Sequence, residues 1–256
     1  MRSAAVLLLL VTSTAARADR LVDPRPIARG DYLAPQFAPD GRDLLVTGPK
    51  LRGLSLVAID TKLSVRQLTD EPEAGAHARW AADGLIVYRA NRAGARRDLS
   101  IDRRGQVRTL SLAAAVAFAK DDRMYVRRGS SVVEIGTGDR FYGAVISPDG
   151  DKVVFQGLTT GLHLFVRSTG TLLRIGTGTA PAWSPDSKRV IFEVTEDDGH
   201  DIVASDLYVY DTSDHRTTQL TSTDAVIERR PGFSPDGAQV AFDDNTGSVF
   251  VARMVP

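Results

Sequence analysis

The chain has 256 residues, with 32 basic and 32 acidic side chains, 43% hydrophobic residues and no cysteine. Balanced charge without a basic block gives no electrostatic footprint for nucleic acid or an anionic membrane surface. The missing cysteines exclude disulfides, thiolate metal sites and a lipid-modified N-terminal cysteine, so the fold must rest on its own core.

Residues 1–18 read as an export signal. Arg2 supplies a minimal positive region, Ala4 to Val11 is apolar, and Ala16-Arg17-Ala18 is an A-x-A cleavage pattern. An apolar run this short falls below the roughly 20 residues needed to span a bilayer. Cleavage after Ala18 is expected, giving a periplasmic or secreted protein whose single domain covers residues 19–256. No later stretch is long and apolar enough to span a membrane as a helix.

Along the rest of the chain one phrase recurs: an aromatic or aliphatic residue, a small residue, then Pro-Asp-Gly. It reads Phe37-Ala-Pro-Asp-Gly41, Trp80-Ala-Ala-Asp-Gly84, Phe118-Ala-Lys-Asp-Asp122, Ile146-Ser-Pro-Asp-Gly150, Trp183-Ser-Pro-Asp-Ser187 and Phe233-Ser-Pro-Asp-Gly237. The intervals are 43, 38, 28, 37 and 50 residues, a spacing typical of four-stranded propeller blades. In each copy the aromatic ends a short strand. Pro pre-sets the turn, Asp tolerates its third position, and Gly supplies a left-handed residue at the fourth.

A β-branched and aromatic strand follows each turn, as in Lys152-Val-Val-Phe155, Arg189-Val-Ile-Phe192 and Gln239-Val-Ala-Phe242. Third strands come next, such as Leu162-His-Leu-Phe-Val166 and Leu207-Tyr-Val-Tyr210. Outer strands such as Leu172-Leu-Arg-Ile175 close the units. The unit from Phe118 to Ile146 is short by about one strand. Val132-Val-Glu-Ile135 resembles an outer strand, so the third is expected to be the one missing. The unit from Trp183 is long, with an acidic insertion between Thr195 and Ser205.

After the sixth motif only two strands remain, Gln239 to Asp243 and Ser248 to Arg253. A strand around Arg25-Pro-Ile-Ala-Arg29 is expected to supply the missing outer one. Closing the ring protects its sheet edges. The expected fold is all-β: a six-bladed β-propeller with a short third blade, closed by an N-terminal strand.

The Ser-Pro-Asp-Gly turn followed by a Val/Ile-x-Phe strand resembles the repeat of TolB-type β-propellers over nearly the whole mature chain. The copies at 146–150, 183–187 and 233–237 match well and 37–41 acceptably, while 80–84 and 118–122 are degenerate. TolB itself carries an α/β domain before its propeller, and prolyl-oligopeptidase-type propellers accompany a hydrolase domain. Neither has a counterpart in this sequence. The resemblance implies a stand-alone exported module, expected to be a monomer, that engages a protein or peptide partner of the cell envelope.

No G-x-S-x-G, H-E-x-x-H or P-loop pattern occurs. His77, His163, His200 and His215 show no metal-ligand spacing. Glu196-Asp-Asp-Gly-His-Asp201 offers calcium the carboxylate oxygens it prefers, without the EF-hand order, and a solvated hairpin loop is the competing reading. No other cofactor is expected.

Small or rigid residues stand two places before each aromatic: Pro35, Ala78, Val116, Ala144, Pro181 and Pro231. Polar residues just upstream should line one mouth of the channel. The candidates are Tyr32, His77, Arg79, Arg140, Tyr142, Glu228, Arg229 and Arg230, and Arg and Tyr are enriched at binding hot spots. A non-enzymatic scaffold is the leading expectation. The alternative is a propeller enzyme of metal-assisted lactonase or polysaccharide lyase type, with Glu228, His77 and Asp31 as first candidates.

Overall fold

The computed structural model describes residues 19–60, 64–81, 83–92, 94–109, 116–224 and 226–256. The signal of residues 1–18 lies outside them. Six antiparallel sheets follow one another in chain order as the blades of a propeller. Blade 1 spans 33–69, blade 2 79–109, blade 3 116–137, blade 4 141–176 and blade 5 179–219. Blade 6 joins 229–255 to the N-terminal strand Arg20–Ala28. That strand pairs antiparallel with Val249–Val255, from Arg20 opposite Val255 to Ala28 opposite Val249. The expected closure is therefore present, and it leaves no incomplete blade at the chain ends.

Blade 3 has three strands where the others have four. Ser131–Thr137, whose sequence resembles an outer strand, pairs directly with Arg123–Arg128 and so fills the third position. The strand missing is the outermost one. The acidic insertion of blade 5 lengthens a hairpin instead of forming a large loop: Arg189–Asp197 and Ile202–Asp211 stay paired past Thr195 and Ser205.

The Ser-Pro-Asp-Gly phrase builds one repeated object. In blade 4 the Ser147 hydroxyl donates to Asp149 Oδ1 (2.5 Å) and accepts from the Lys152 amide (2.9 Å), while the Gly150 amide donates to the Ser147 carbonyl (2.8 Å). Ser184 and Ser234 repeat the pattern in blades 5 and 6. All three serines are buried, so the turn also satisfies their hydroxyls. Neighbouring turns touch, as where the Asp149 amide donates to the Ser187 hydroxyl at 3.0 Å.

Apolar side chains pack between blades. Phe192, Leu162, Ile175 and Trp183 fill the junction of blades 4 and 5, and Leu207, Val240 and Phe242 that of blades 5 and 6. Phe37, Val46, Val57 and Val249 join blades 6 and 1; Leu56, Ile86, Tyr88 and Leu99 join blades 1 and 2. Met124, Phe141 and Phe155 join blades 3 and 4. Each large side chain buried this way contributes about 1.5–3 kcal/mol. Inner strands are tied across blades as well: the Trp183 indole donates to the Val145 carbonyl at 3.0 Å, and the Trp80 indole to the Gln36 carbonyl at 3.3 Å.

Candidate active site at the channel mouth

The face opposite the Ser-Pro-Asp-Gly turns carries the starts of the inner strands and the ends of the second strands. Four inner strands are bulged there. Two residues oppose one across the gaps Leu33/Gln36, Tyr142/Val145, Thr179/Ala182 and Arg229/Gly232. The first residue of each bulge is left-handed: Ala34 (φ 52°), Gly143 (φ 62°), Ala180 (φ 51°) and Arg230 (φ 49°). In three blades a proline follows, although a residue before proline favours extended backbone. Strain of this kind persists only where the surroundings enforce it.

The surroundings here are polar, and acidic in blades 5 and 6. One polar side chain per blade follows the aromatic or aliphatic residue facing the bulge: Thr47, Gln156, Glu193 and Asp243 in the four bulged blades, all buried. The Ala34 amide, freed by its bulge, donates to Asp243 Oδ1 of the preceding blade at 3.0 Å. The Arg230 amide donates in the same way to Glu193 Oε2 at 2.5 Å. A bulge also breaks the alternation that would send Arg229 and Arg230 to opposite faces. Arg229 Nε reaches Glu193 Oε1 (3.0 Å), and Arg230 forks onto both oxygens of Asp243, with Nε at 3.0 Å from Oδ1.

The result is a charge network across blades 5, 6 and 1. Thr179 donates to Glu193 at 2.8 Å, completing its blade 5 end. Glu193 and Asp243 have side chains 1% and 0% exposed, while Arg229 and Arg230 keep 21% and 28% of theirs in solvent. Burial pushes the Asp243 carboxyl up to about 6, against the opposing pull of Arg230 and the Ala34 amide. Solvent thus meets guanidinium groups, and the carboxylates lie behind them.

Beside this network is a cleft of about 250 Å³ between blades 4 and 5, lined by Gln156, Thr159, Thr177, Thr179, Val194 and Thr195 among others. A second cleft, of about 430 Å³, lies against blade 1 and includes Tyr32, Ser55, Gln67 and the exposed Arg52–Asp70 ion pair.

Of the eight residues expected at the mouth, Arg229 and Arg230 meet in the network. Tyr142 is exposed at the start of the blade 4 inner strand, its hydroxyl accepting from the Gln156 amide at 2.6 Å. Tyr32 is half-buried, lines the larger cleft and donates its amide to the Gly247 carbonyl at 3.0 Å. Arg79 and Arg140 are exposed. His77 ends a short 3-10 turn, and its side chain lies outside the described residues. Glu228 is buried: Oε1 accepts from Thr223 at 2.9 Å, Oε2 has no hydrogen-bond partner, and burial raises its carboxyl. Asp31 is exposed and left-handed. Sequence reasoning missed Glu193 and Asp243, although their shared place after Phe192 and Phe242 was a usable signal.

Among the described residues no three His, Cys, Asp or Glu side chains converge as a metal cluster. In the acidic loop of blade 5, Asp198 accepts from the His200 and Asp201 amides, both at 2.9 Å, and so caps its own turn. No helix among the described residues is long and apolar enough to cross a membrane.

No protein-family model matches the chain. Solved structures share its ring. A gluconolactonase from Xanthomonas campestris aligns over 92% of this chain and 91% of its own, at 12% identity and a TM-score of 0.62. A chain in a crystal structure of the mitotic checkpoint complex aligns over 98% of this chain and 99% of its own, at 15% identity and a TM-score of 0.60. At these identities the likeness establishes the six-bladed fold and nothing finer.

It does correct one expectation. The non-enzymatic reading rested on missing catalytic motifs and on the lack of a separate catalytic domain. The gluconolactonase is matched over nearly its full length by this single ring. Neither ground therefore separates a propeller enzyme from a propeller scaffold, and the expectation that the chain is not an enzyme is withdrawn.

Proposed function

We propose that the protein is a propeller enzyme working at the channel mouth where blades 5, 6 and 1 meet. The observation that carries this reading is the Arg230–Asp243 pair. Asp243 is a wholly buried carboxyl raised to about 6, and a partly exposed arginine covers it. A carboxylate or developing oxyanion on a substrate would draw Arg230 away from Asp243. The aspartate would then lie open, with a proton affinity near working pH, which suits a general base.

The reaction class that fits is hydrolysis of a lactone of a small hydroxylated acid, the substrate type named for the Xanthomonas campestris neighbour. Asp243 would take a proton from the attacking water as the C–O bond forms, and Arg230 would hold the carbonyl oxygen as it gains charge. The ring C–O bond would then break, the leaving oxygen taking that proton back from Asp243 to become a hydroxyl. Glu193, bonded to the Arg230 amide and to Arg229, positions both arginines. The signal-like residues 1–18 and the TolB-type repeat support a site of action outside the cytoplasm, with a mature chain beginning at Asp19.

The test is turnover of glucono-δ-lactone by purified mature protein, with chelator and with added calcium as separate arms. The expected result is saturable hydrolysis that rises with pH through about 6 and falls by about 10²–10⁴-fold in Asp243→Asn. Absence of turnover in every arm, or full activity of a folded Asp243→Asn protein, would overturn the reading.

A second reading is favoured by the exposed Tyr142 and the two arginines: a protein or peptide of the cell envelope docks on the same mouth. Cross-linking from Tyr142 in envelope extract, lost on Arg229→Glu, would support it. Unchanged cross-linking would place any partner elsewhere.

A further inference from the structure

We propose that the threonine-lined cleft between blades 4 and 5 is a subsite for the hydroxyl groups of a sugar acid, whose carboxylate is held next door by Arg229. The inference rests on the channel-mouth site proposed above and names its ligand class.

At about 250 Å³ the cleft is smaller than a drug-sized pocket. It suits one sugar ring. Thr159, Thr177, Thr179 and Thr195 give its wall four methyl groups and four hydroxyls. Those of Thr159 and Thr179 donate to carboxylates and offer a ligand acceptor lone pairs only. A sugar presents the same mixture, with hydroxyls around its rim and C–H groups on its faces. No charged side chain lines the cleft, so charge recognition must come from beside it.

Thr179 makes that connection. It lines the cleft and donates to Glu193, and Glu193 in turn accepts from Arg229 Nε at 3.0 Å. The cleft and the partly exposed Arg229 guanidinium are therefore linked through one buried carboxylate. Glycine is required at one point of the lining by the close packing behind it. Gly178 has φ +158°, and a Cβ there would come within 2.5 Å of the Phe192 ring.

Two of the threonines make the idea testable without disturbing the fold. Thr159 and Thr179 hold carboxylates, whereas Thr177 and Thr195 line the cleft without serving that scaffold. Thr177→Val and Thr195→Val keep shape and remove only a hydroxyl. Binding would be measured by calorimetry and ligand-observed NMR with D-glucuronate, D-glucose and acetate, none of which is a lactone.

Glucuronate is expected to bind more tightly than either glucose or acetate. Each valine variant should weaken glucuronate and glucose by about three- to tenfold, the range of one lost hydrogen bond, and leave acetate unchanged. Arg229→Gln should bring glucuronate down to the level of glucose. Glucuronate affinity that is unmoved by both valine variants, or no better than that of acetate, would overturn the proposal, as would no saturable binding at millimolar ligand. Because the probes are not turned over, binding with no lactone hydrolysis would count against the enzyme alone. Hydrolysis with no such binding would count against the subsite alone.

Discussion

Blades 1, 4, 5 and 6 differ from blades 2 and 3 in how their inner strands meet their neighbours. The first group carries bulged inner strands and a buried polar residue at the mouth of each second strand. In blades 2 and 3 the pairing of the inner strand runs without a bulge, and in blade 2 the corresponding residue, Arg89, is exposed. Blades 2 and 3 also carry the degenerate turns, and blade 3 lacks an outer strand. Among the described residues five junctions hold an apolar cluster, and the junction of blades 2 and 3 does not. The strained, charge-tied mouth thus sits where the ring is best secured. A buried ion pair needs this support, because desolvation offsets most of its attraction unless its geometry is fixed.

The largest test of that contrast compares one strand position in two blades. Ile191 of blade 5 is fully buried against blade 6, and its counterpart in blade 3 is the half-buried Val126, which faces blade 4. Ile191→Ala should cost about 2–5 kcal/mol in urea unfolding, whereas Val126→Ala should cost about 1 kcal/mol. Equal losses would mean that blade 3 is as firmly packed as blade 5.

The turns offer a smaller effect. Ser184→Ala removes the hydroxyl that serves both Asp186 and the Arg189 amide, and should cost about 1–3 kcal/mol. The matching residue of blade 3, Ala119, is exposed and part of no such turn. Ala119→Ser should change stability by less than about 0.5 kcal/mol. A comparable shift in both would show that the serine network adds nothing of its own.

The same contrast governs how much could be read from residues alone. Ring order, the short blade and the closing strand were legible because turns and alternating strands are local features with fixed chemistry. The bulges were not, since Ala34-Pro35, Ala180-Pro181 and Arg230-Pro231 look like ordinary extended dipeptides. Arg229 and Arg230 were found as polar residues upstream of a motif. Their partners Glu193 and Asp243 were hidden inside strands, where a carboxylate reads as an exposed residue until a neighbouring blade covers it. The burial of Glu228 was hidden too: its side chain accepts from Thr223 and its carbonyl from Ser205 of the blade 5 hairpin.

The smallest predicted effect separates two acids within the secured half. Asp139 of blade 4 accepts from the Thr160 hydroxyl (2.6 Å) and from the Thr159, Thr160 and Arg140 amides. These donors, the Thr160 hydroxyl first, hold its carboxyl well below the usual carboxylate range. A lowered folded-state value means stability that is complete above the unfolded value near 4 and is lost as pH falls through the folded one. Asp243 has the opposite sign: raised to about 6 by burial, it withdraws stability as pH rises from about 4 to about 6. Urea midpoints across pH 2–7 should therefore show a shallower acid fall in Asp139→Asn than in the parent. The cost of Asp243→Asn should be larger at pH 4 than at pH 7. Parallel curves for Asp139→Asn and the parent would mean that its donors stabilise neutral and charged carboxyl alike, and that this corner of blade 4 is held by packing.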